Sequence, residues 1–242
     1  MKIAFISDIH GNLQAFEAVV KDFTKEHVEA VIFLGDLIFY GLYPRQCYDL
    51  LVSLHPICCI KGNTDANLEE LETFVPVSPQ ERILYENIQF CNEQLSPEAK
   101  VTIASWPIAK RITLENEEIL VCHGSPYHFK DQLSLQSRQL EELAARIEKE
   151  PVNHIYCGHT HIPQIFSLKE KRIVNAGAVG YSFDRDNRAS YCLTTIEKGQ
   201  WENMIKRVEY PVDEYAKEVL AIPRFGHNLW YILKQGTFEK KL

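Results

Sequence analysis

Lys2-Ile3-Ala4-Phe5-Ile6-Ser7-Asp8-Ile9-His10-Gly11-Asn12 opens the chain with an apolar run that breaks at a carboxylate, a histidine and a glycine. The run reads as a short buried strand ending in a tight polar loop. Beyond it, Leu13, Phe16, Val19, Val20 and Phe23 recur at three- and four-residue spacing, the mark of an amphipathic helix. Asn12 is placed to cap its first turn. A second apolar run, Ala30 to Leu34, again ends in a carboxylate, at Gly35-Asp36. Strand, helix and strand in this order predict a βαβ unit with parallel strands, and so an α/β fold.

The same punctuation recurs downstream. A helix from Pro44 to about Leu54 precedes a third strand, Ile57 to Ile60, which runs into Lys61-Gly62-Asn63-Thr64-Asp65. Ser78-Pro79-Gln80-Glu81 is a capping box with proline at the first helical position, and Ile83, Leu84, Ile88, Cys91 and Leu95 line one face of the helix it starts. A shorter helix opens at Ser96-Pro97. Strands Arg111 to Leu114 and Glu118 to Cys122 follow, the latter ending at His123-Gly124. After a helix stopped by Pro151, the strand Val152 to Tyr156 runs into Cys157-Gly158-His159-Thr160-His161. Strands near Gln164 to Leu168 and Arg172 to Val174, a hairpin from Ser190 to Glu209, a short helix after Pro211 and a weakly patterned tail complete the chain. With no repeat or linker in view, residues 1–242 read as one domain, with a helical, cap-like insertion at about 66–106.

Composition excludes several classes. A 45% hydrophobic share with 24% charged residues is that of a globular protein, not a disordered one. The formal net charge of −7 argues against duplex nucleic acid or an anionic membrane as partner, since both need a basic stripe. Lys169 to Arg172 looks like a hairpin tip, and Lys206 and Arg207 like the exposed end of a strand. Seven cysteines, an odd number with no C-x-x-C pair, suit a reducing compartment, and with no signal peptide or membrane-length apolar run the expected location is the cytoplasm.

The strand ends deliver Asp8 and His10, then Asp36, Asn63, His123, and finally His159 and His161. Loops after parallel strands are where α/β folds place their sites. Taken one at a time these residues have ordinary explanations: an Asp after a strand is more often a helix N-cap, Asn63 could occupy a turn, and His123 could be a satisfied near-core histidine. Together they form a mixed nitrogen and oxygen donor set suited to first-row divalent metals. With one carboxylate bridging, seven residues give two ions four protein ligands each. Two carboxylates against two divalent ions leave a positive site that attracts phosphate, and paired metals lower a bound water's pKa from ~15.7 towards ~7.

The motifs Asp8-Ile9-His10-Gly11, Gly35-Asp36, Gly62-Asn63-Thr64-Asp65, His123-Gly124 and Gly158-His159-Thr160-His161 resemble those of the calcineurin-like metallophosphoesterase superfamily. More closely, over roughly residues 2–196, the chain is similar to its small bacterial, YfcE-like phosphodiesterase branch. The resemblance implies a four-layer αββα sandwich of two mixed sheets flanked by helices. It implies one metal on Asp8, His10, Asp36 and His161 and a second on Asp36, Asn63, His123 and His159, with Asp36 as the bridge. The ions it implies are Mn2+, with Fe, Zn or Ni as substitutes, and it implies that Asp36, Asn63 and His123 act through a metal-bridging hydroxide that attacks a phosphodiester in line. Many members carry a histidine after the asparagine as a general acid. Here that position is Thr64, which cannot titrate near neutrality. Alternatives are a non-catalytic protein-binding scaffold on the same fold, or a phosphomonoesterase or protein phosphatase of the superfamily.

Other residues invite either reading. Gly177 and its loop to Gly180 could offer amides to phosphate or form a turn. Arg188 could contact substrate or pair with Asp184 or Asp186. Tyr127 and His128 could line the site or simply pack, and an exposed apolar stripe on the Ser78 to Ser105 helices would favour a dimer.

Overall fold

β1 (Lys2–Ile6) pairs in parallel with β2 (Ala30–Phe33), Ile3 opposite Ala30 through Ile6 opposite Phe33, and α1 (Leu13–Glu26) crosses between them. This is the βαβ unit the N-terminal sequence predicts. The Asn12 side chain accepts from Ala15 N at 3.1 Å, capping α1. The structure is a computed structural model and describes residues 1–71, 73–222 and 226–238, with the side chains of 226 and 227 outside the description.

β3 (Cys58–Cys59) extends the parallel set, while β9 (Ala189–Glu197) and β10 (Gln200–Val208) add antiparallel strands on the other side, in the order β10-β9-β1-β2-β3. A second sheet has the order β4-β5-β6-β8-β7, from β4 (Ala109–Leu114), β5 (Glu117–Cys122), β6 (His154–Cys157), β7 (Gln164–Leu168) and β8 (Lys171–Asn175). β5, β6 and β8 are parallel, and the edges β4 and β7 are antiparallel.

β1 is buried on both faces, as a parallel strand inside a layered fold must be. Ile3 and Phe5 point into the space between the sheets with Ile32, Val121, Tyr156 and Val174, where the Phe5 and Tyr156 rings stack at 3.7 Å. Ala4 and Ile6 point the other way, onto Phe16 and Val19 of α1. α2 (Pro44–Ser53), α4 (Pro79–Gln94) and α5 (Pro97–Ser105) share that outer core through Cys47, Leu51, Cys91, Leu95, Ala99 and Ile103. On the far face of the second sheet, α6 (Leu140–Ile147) buries Leu143 and Ile147 against Leu120 and Ile155. The layers are therefore α, β, β and α, with two mixed five-stranded sheets in the middle.

Three details differ from expectation. Ile83, placed by its spacing on the buried face of α4, is 44% exposed, because only the later turns of that helix reach the core at Ile88 and Cys91. Lys206 and Arg207 are not an exposed strand end: Lys206 pairs with Glu26 and Arg207 with Asp184, and both side chains are mostly covered. The weakly patterned tail contains a helix, α8 (Gly226–Gln235), which packs with α7 (Val212–Leu220) in a core of its own around Tyr181, Tyr215, Val219, Leu229 and Ile232. Among the described residues no helix is long and apolar enough to cross a membrane.

Truncating the ring at the centre of the sandwich removes contacts that neighbouring strands cannot collapse to replace. Phe5→Ala is expected to destabilise the fold by about 3–5 kcal/mol, read as a lower urea midpoint at unchanged slope.

A candidate metal centre at the strand ends

Where β1 and β2 stop, their chains continue to pair through backbone bonds alone: Asp8 N donates to Gly35 O at 2.9 Å, His10 N to Asp36 O at 3.1 Å and Gly11 N to Leu37 O at 2.9 Å. The loop after β8 closes over them, with Val179 N donating to Ser7 O and Gly180 N to Asp8 O. From the second sheet, Gly158 N donates to His123 O at 2.8 Å. Loops from both sheets are thereby fastened into one cluster.

Within it, Asp8, His10, Asp36, His159 and His161 all have φ between 49° and 67°, in the left-handed region. For residues with a Cβ this costs roughly 1–2 kcal/mol each, and such strain concentrates at functional sites. Here it turns each side chain inward straight after an extended strand. Two glycines permit the close approach. A Cβ on Gly62 would collide with the Asp36 carboxylate, and one on Gly158 with the hydroxyl of Ser7 and the carboxylate of Asp8.

The donor atoms converge in two overlapping groups, Asp8 with His10 and His161, and Asp8 with Asp36 and His123. Asp8 Oδ1 lies 3.2 Å from His161 Nε2, 3.8 Å from His10 Nε2 and 3.9 Å from His123 Nε2. Asp36 Oδ2 lies 3.6 Å from His10 Nε2 and 3.4 Å from His123 Nε2, so it too reaches both halves. Asn63 Oδ1 is 3.2 Å from His123 Nε2, the His159 ring is 5.2 Å from the His123 ring, and His159 N donates to Asp8 Oδ2 at 3.0 Å. All seven strand-end residues meet in one place.

Hydrogen bonds fix how the imidazoles present themselves. Nδ1 of His10 faces Phe39 O at 3.2 Å, Nδ1 of His123 faces Leu34 O at 2.8 Å, and Nδ1 of His161 faces Tyr181 O at 2.6 Å. A carbonyl only accepts, so each Nδ1 carries a proton, and in the neutral ring, the form that binds a metal, Nε2 is left with its lone pair pointing inward. Nε2 of His10 and of His161 then face one another at 3.2 Å. Two lone pairs at that distance need a proton or a cation between them. Asp8 Oδ1, fully buried, has only these imidazole nitrogens around it and no well-aligned hydrogen bond. With metal–ligand distances of ~2.0–2.2 Å, donors on a common ion sit roughly 3–4 Å apart, and the spacings here fit divalent cations.

The electrostatics agree. Burial alone would raise both carboxylates. The imidazoles of His161 and His123 around Asp8, and of His123 around Asp36, reverse this, leaving Asp8 well below its usual value and Asp36 at about 2. Burial pulls His123 down, but the charges of Asp36 and Asp8 lift it to about 9. His159 is pushed down to about 4 by burial and by the neighbouring His123 charge.

Asp65 has a role that the strand-end pattern does not reveal. It is buried at the third position of α3 (Asn63–Glu70), and its carboxylate accepts from Asp36 N, Leu37 N and Gly62 N at 2.9–3.0 Å, clamping the Asp36 loop onto the Asn63 loop. The signal was available as an acidic residue three positions after Gly62, the helix-capping spacing. Tyr181 and Phe183 are likewise unmarked in sequence, yet Phe183 stacks on His161 and Tyr181 stacks on His10 while leaning against His161.

Other candidates lie elsewhere. Arg188 pairs with Asp186, its Nη2 at 2.6 Å from Oδ2, and its side chain is 44% exposed. The amides of the Gly177 loop are all consumed internally, by Asn175 Oδ1, Ser190 Oγ, Ser7 O and Asp8 O, so this loop fastens the site rather than cradling phosphate. Tyr127 points to Glu150, and His128 is mostly exposed beside Asp131.

A two-sheet sandwich whose strand-end loops converge two carboxylates and four imidazoles defines a metallophosphoesterase-type protein. Residues 1–199 match the calcineurin-like phosphoesterase superfamily domain, and the chain belongs to that family. Phosphodiesterase YfcE of Escherichia coli K12 is 28% identical over 200 residues, 79% of this chain and 85% of its own, in line with the YfcE-like branch. The uncharacterized protein MJ0912 of Methanocaldococcus jannaschii is 27% identical over 239 residues, 90% of this chain and 91% of that one. A crystal structure of a metallophosphoesterase from Sphaerobacter thermophilus has a TM-score of 0.76 at 26% identity, covering 98% of this chain and 100% of that one.

Two outcomes test the cluster without any substrate. Gly62→Ala is expected to cost about 1–3 kcal/mol, because Asp36 must move; an unchanged melting temperature would refute the close approach. For metal-free protein, His123 rises from 6.5 unfolded to about 9 folded. Its contribution is complete below pH 6.5 and is lost as pH rises through 9. Between pH 7 and 8, largely past the titration of Asp65 at about 7 and before the buried thiols matter, chelated protein should lose on the order of 1 kcal/mol. His159, with the opposite shift, acts only below pH 6.5. A flat melting temperature across that window would contradict the His123 assignment.

Proposed function

We propose that the chain is a metal-dependent phosphodiesterase working with two divalent cations, manganese before iron, zinc or nickel. Asp8, His10, Asp36 and His161 hold one, and Asp36, Asn63, His123 and His159 the other. The observation that carries this reading is the buried Asp8 Oδ1 facing three Nε2 atoms at 3.2–3.9 Å, spacings that suit donors sharing a cation. When bound, such a pair acidifies a water towards neutrality and sets positive charge against the phosphate oxygens.

The chain's own residues do the rest. Asp36, touching His10 and His123, links the two halves, and Asp65 holds its backbone in place. Asn63 extends the His123 side through its amide oxygen. Attack on phosphorus runs in line, opposite the leaving oxygen. Thr64 gives that oxygen no help, because its hydroxyl donates to Ile38 O at 2.9 Å and its N to Asp36 Oδ1 at 2.8 Å. Esters with good leaving groups, and diesters over monoesters, are therefore the substrates expected. Residues 1–242 act as one domain with the 66–106 helices as its cap, a reading supported by the core that α4 and α5 share with α1. The free thiols are in keeping with a cytoplasmic location.

Thr64 is also the one observation that favours the scaffold alternative. Chelator-stripped protein reloaded with manganese should hydrolyse bis(p-nitrophenyl) phosphate faster than p-nitrophenyl phosphate, and Asp36→Asn should lower the diester rate at least a hundredfold. Zero turnover with manganese, iron, zinc and nickel alike would favour the scaffold.

A further inference from the structure

The rings packed on the histidines continue into a cavity of about 440 Å³, within the roughly 300–1,000 Å³ of small-ligand pockets. One wall is Tyr40 and Tyr181; the other is Asn228, Tyr231 and Ile232 of α8, with Phe238 just beyond. Tyr181 stacks on His10 at 4.7 Å, 22° between planes. Phe183 lies flat on His161 at 4.3 Å and carries Phe238 against it at 4.0 Å. The cavity is thus one ring's thickness from the candidate metal ligands.

Its chemistry is selective. Among the described residues its lining carries no charged side chain and is mostly aromatic. Tyrosine and phenylalanine rings offer faces for stacking, and the amide of Asn228, exposed at the rim, can both donate and accept. Phe39 and Tyr40 are consecutive aromatics at φ 89° and 62°; this strained pair brings Phe39 O to His10 and puts Tyr40 in the pocket wall. The opposite wall comes wholly from beyond residue 199, where the family match ends. Arg185 N donates to Gly236 O at 2.8 Å, tying the end of α8 to the loop that carries Phe183.

We propose that this cavity binds one arm of the phosphodiester, an uncharged planar aromatic group of nucleobase size as in a nucleoside ester, and that α8 supplies this selectivity to a common hydrolytic centre. The inference rests on the phosphodiesterase reading for its ligand, but its test is a binding measurement, so the two can fail separately. Manganese-loaded protein is titrated calorimetrically with thymidine methyl phosphate and with dimethyl phosphate, which carry the same charge and differ only in the nucleoside arm. Wild type should bind the thymidine diester at least tenfold more tightly. Asn228→Trp, which fills the mouth from an exposed position, and Phe238→Ala, which strips a wall, should each reduce that ratio at least fivefold. Equal affinities in wild type, or a ratio that both variants leave intact, would overturn the assignment. Absence of turnover on a chromogenic diester would count against the enzyme reading alone.

Discussion

Two carboxylates held out of water beside four imidazoles set the terms for everything around them. Asp8 and Asp36 are buried, and a buried charge is tolerated only when paired. The pairing is supplied from five loops, so the site exists only while those loops keep register. Three imidazoles are locked by carbonyls of Leu34, Phe39 and Tyr181, the first from a strand end and the others from loops. Five of the seven donors sit at left-handed φ, a strain that, summed, is comparable with the net stability of a domain. The site must be carried by cohesion elsewhere.

That cohesion has an identifiable source. The core between the sheets, centred on Phe5 and Tyr156, fixes the two parallel strand sets relative to one another. Backbone hydrogen bonds then carry the pairing past the strand ends into the loops, and Asp65 joins the Asp36 and Asn63 loops through three amides. Burial and the Asp36 charge push Asp65 up to about 7, against the pull of those amide donors. A buried acid thus does structural service beside a functional one. Glycines at 62 and 158 leave room that any side chain would occupy.

The C-terminal helices are joined to this arrangement, not appended to it. Leu42 N donates to the Tyr215 hydroxyl, which in turn reaches Gly11 O, and Tyr43 donates to Glu218. Through Tyr181, α7 and α8 share a core with the loop that supports His10 and His161. Changes in these helices can therefore reach the centre without touching a ligand.

The N-terminal βαβ unit, the strand ends and the seven side chains that converge there were legible in the sequence, because period-two and period-3.6 apolar patterns are local and because Asp, His and Asn after a strand mark its loop. Asn12 as a cap and the Ser78 capping box were equally local and stand as expected. What only the tertiary structure decided depends on neighbours far apart in the chain. The amides of the Gly177 loop were open until Ser7, Asp8 and Ser190, together with the nearby Asn175, took them. Asp8, no less than Asp36, reaches both halves of the donor set. The helix in the tail escaped notice because its apolar face makes sense only against Tyr181 and Tyr215. Local pattern determines which side chains end a strand; long-range packing decides which of them share a cavity and with what charge.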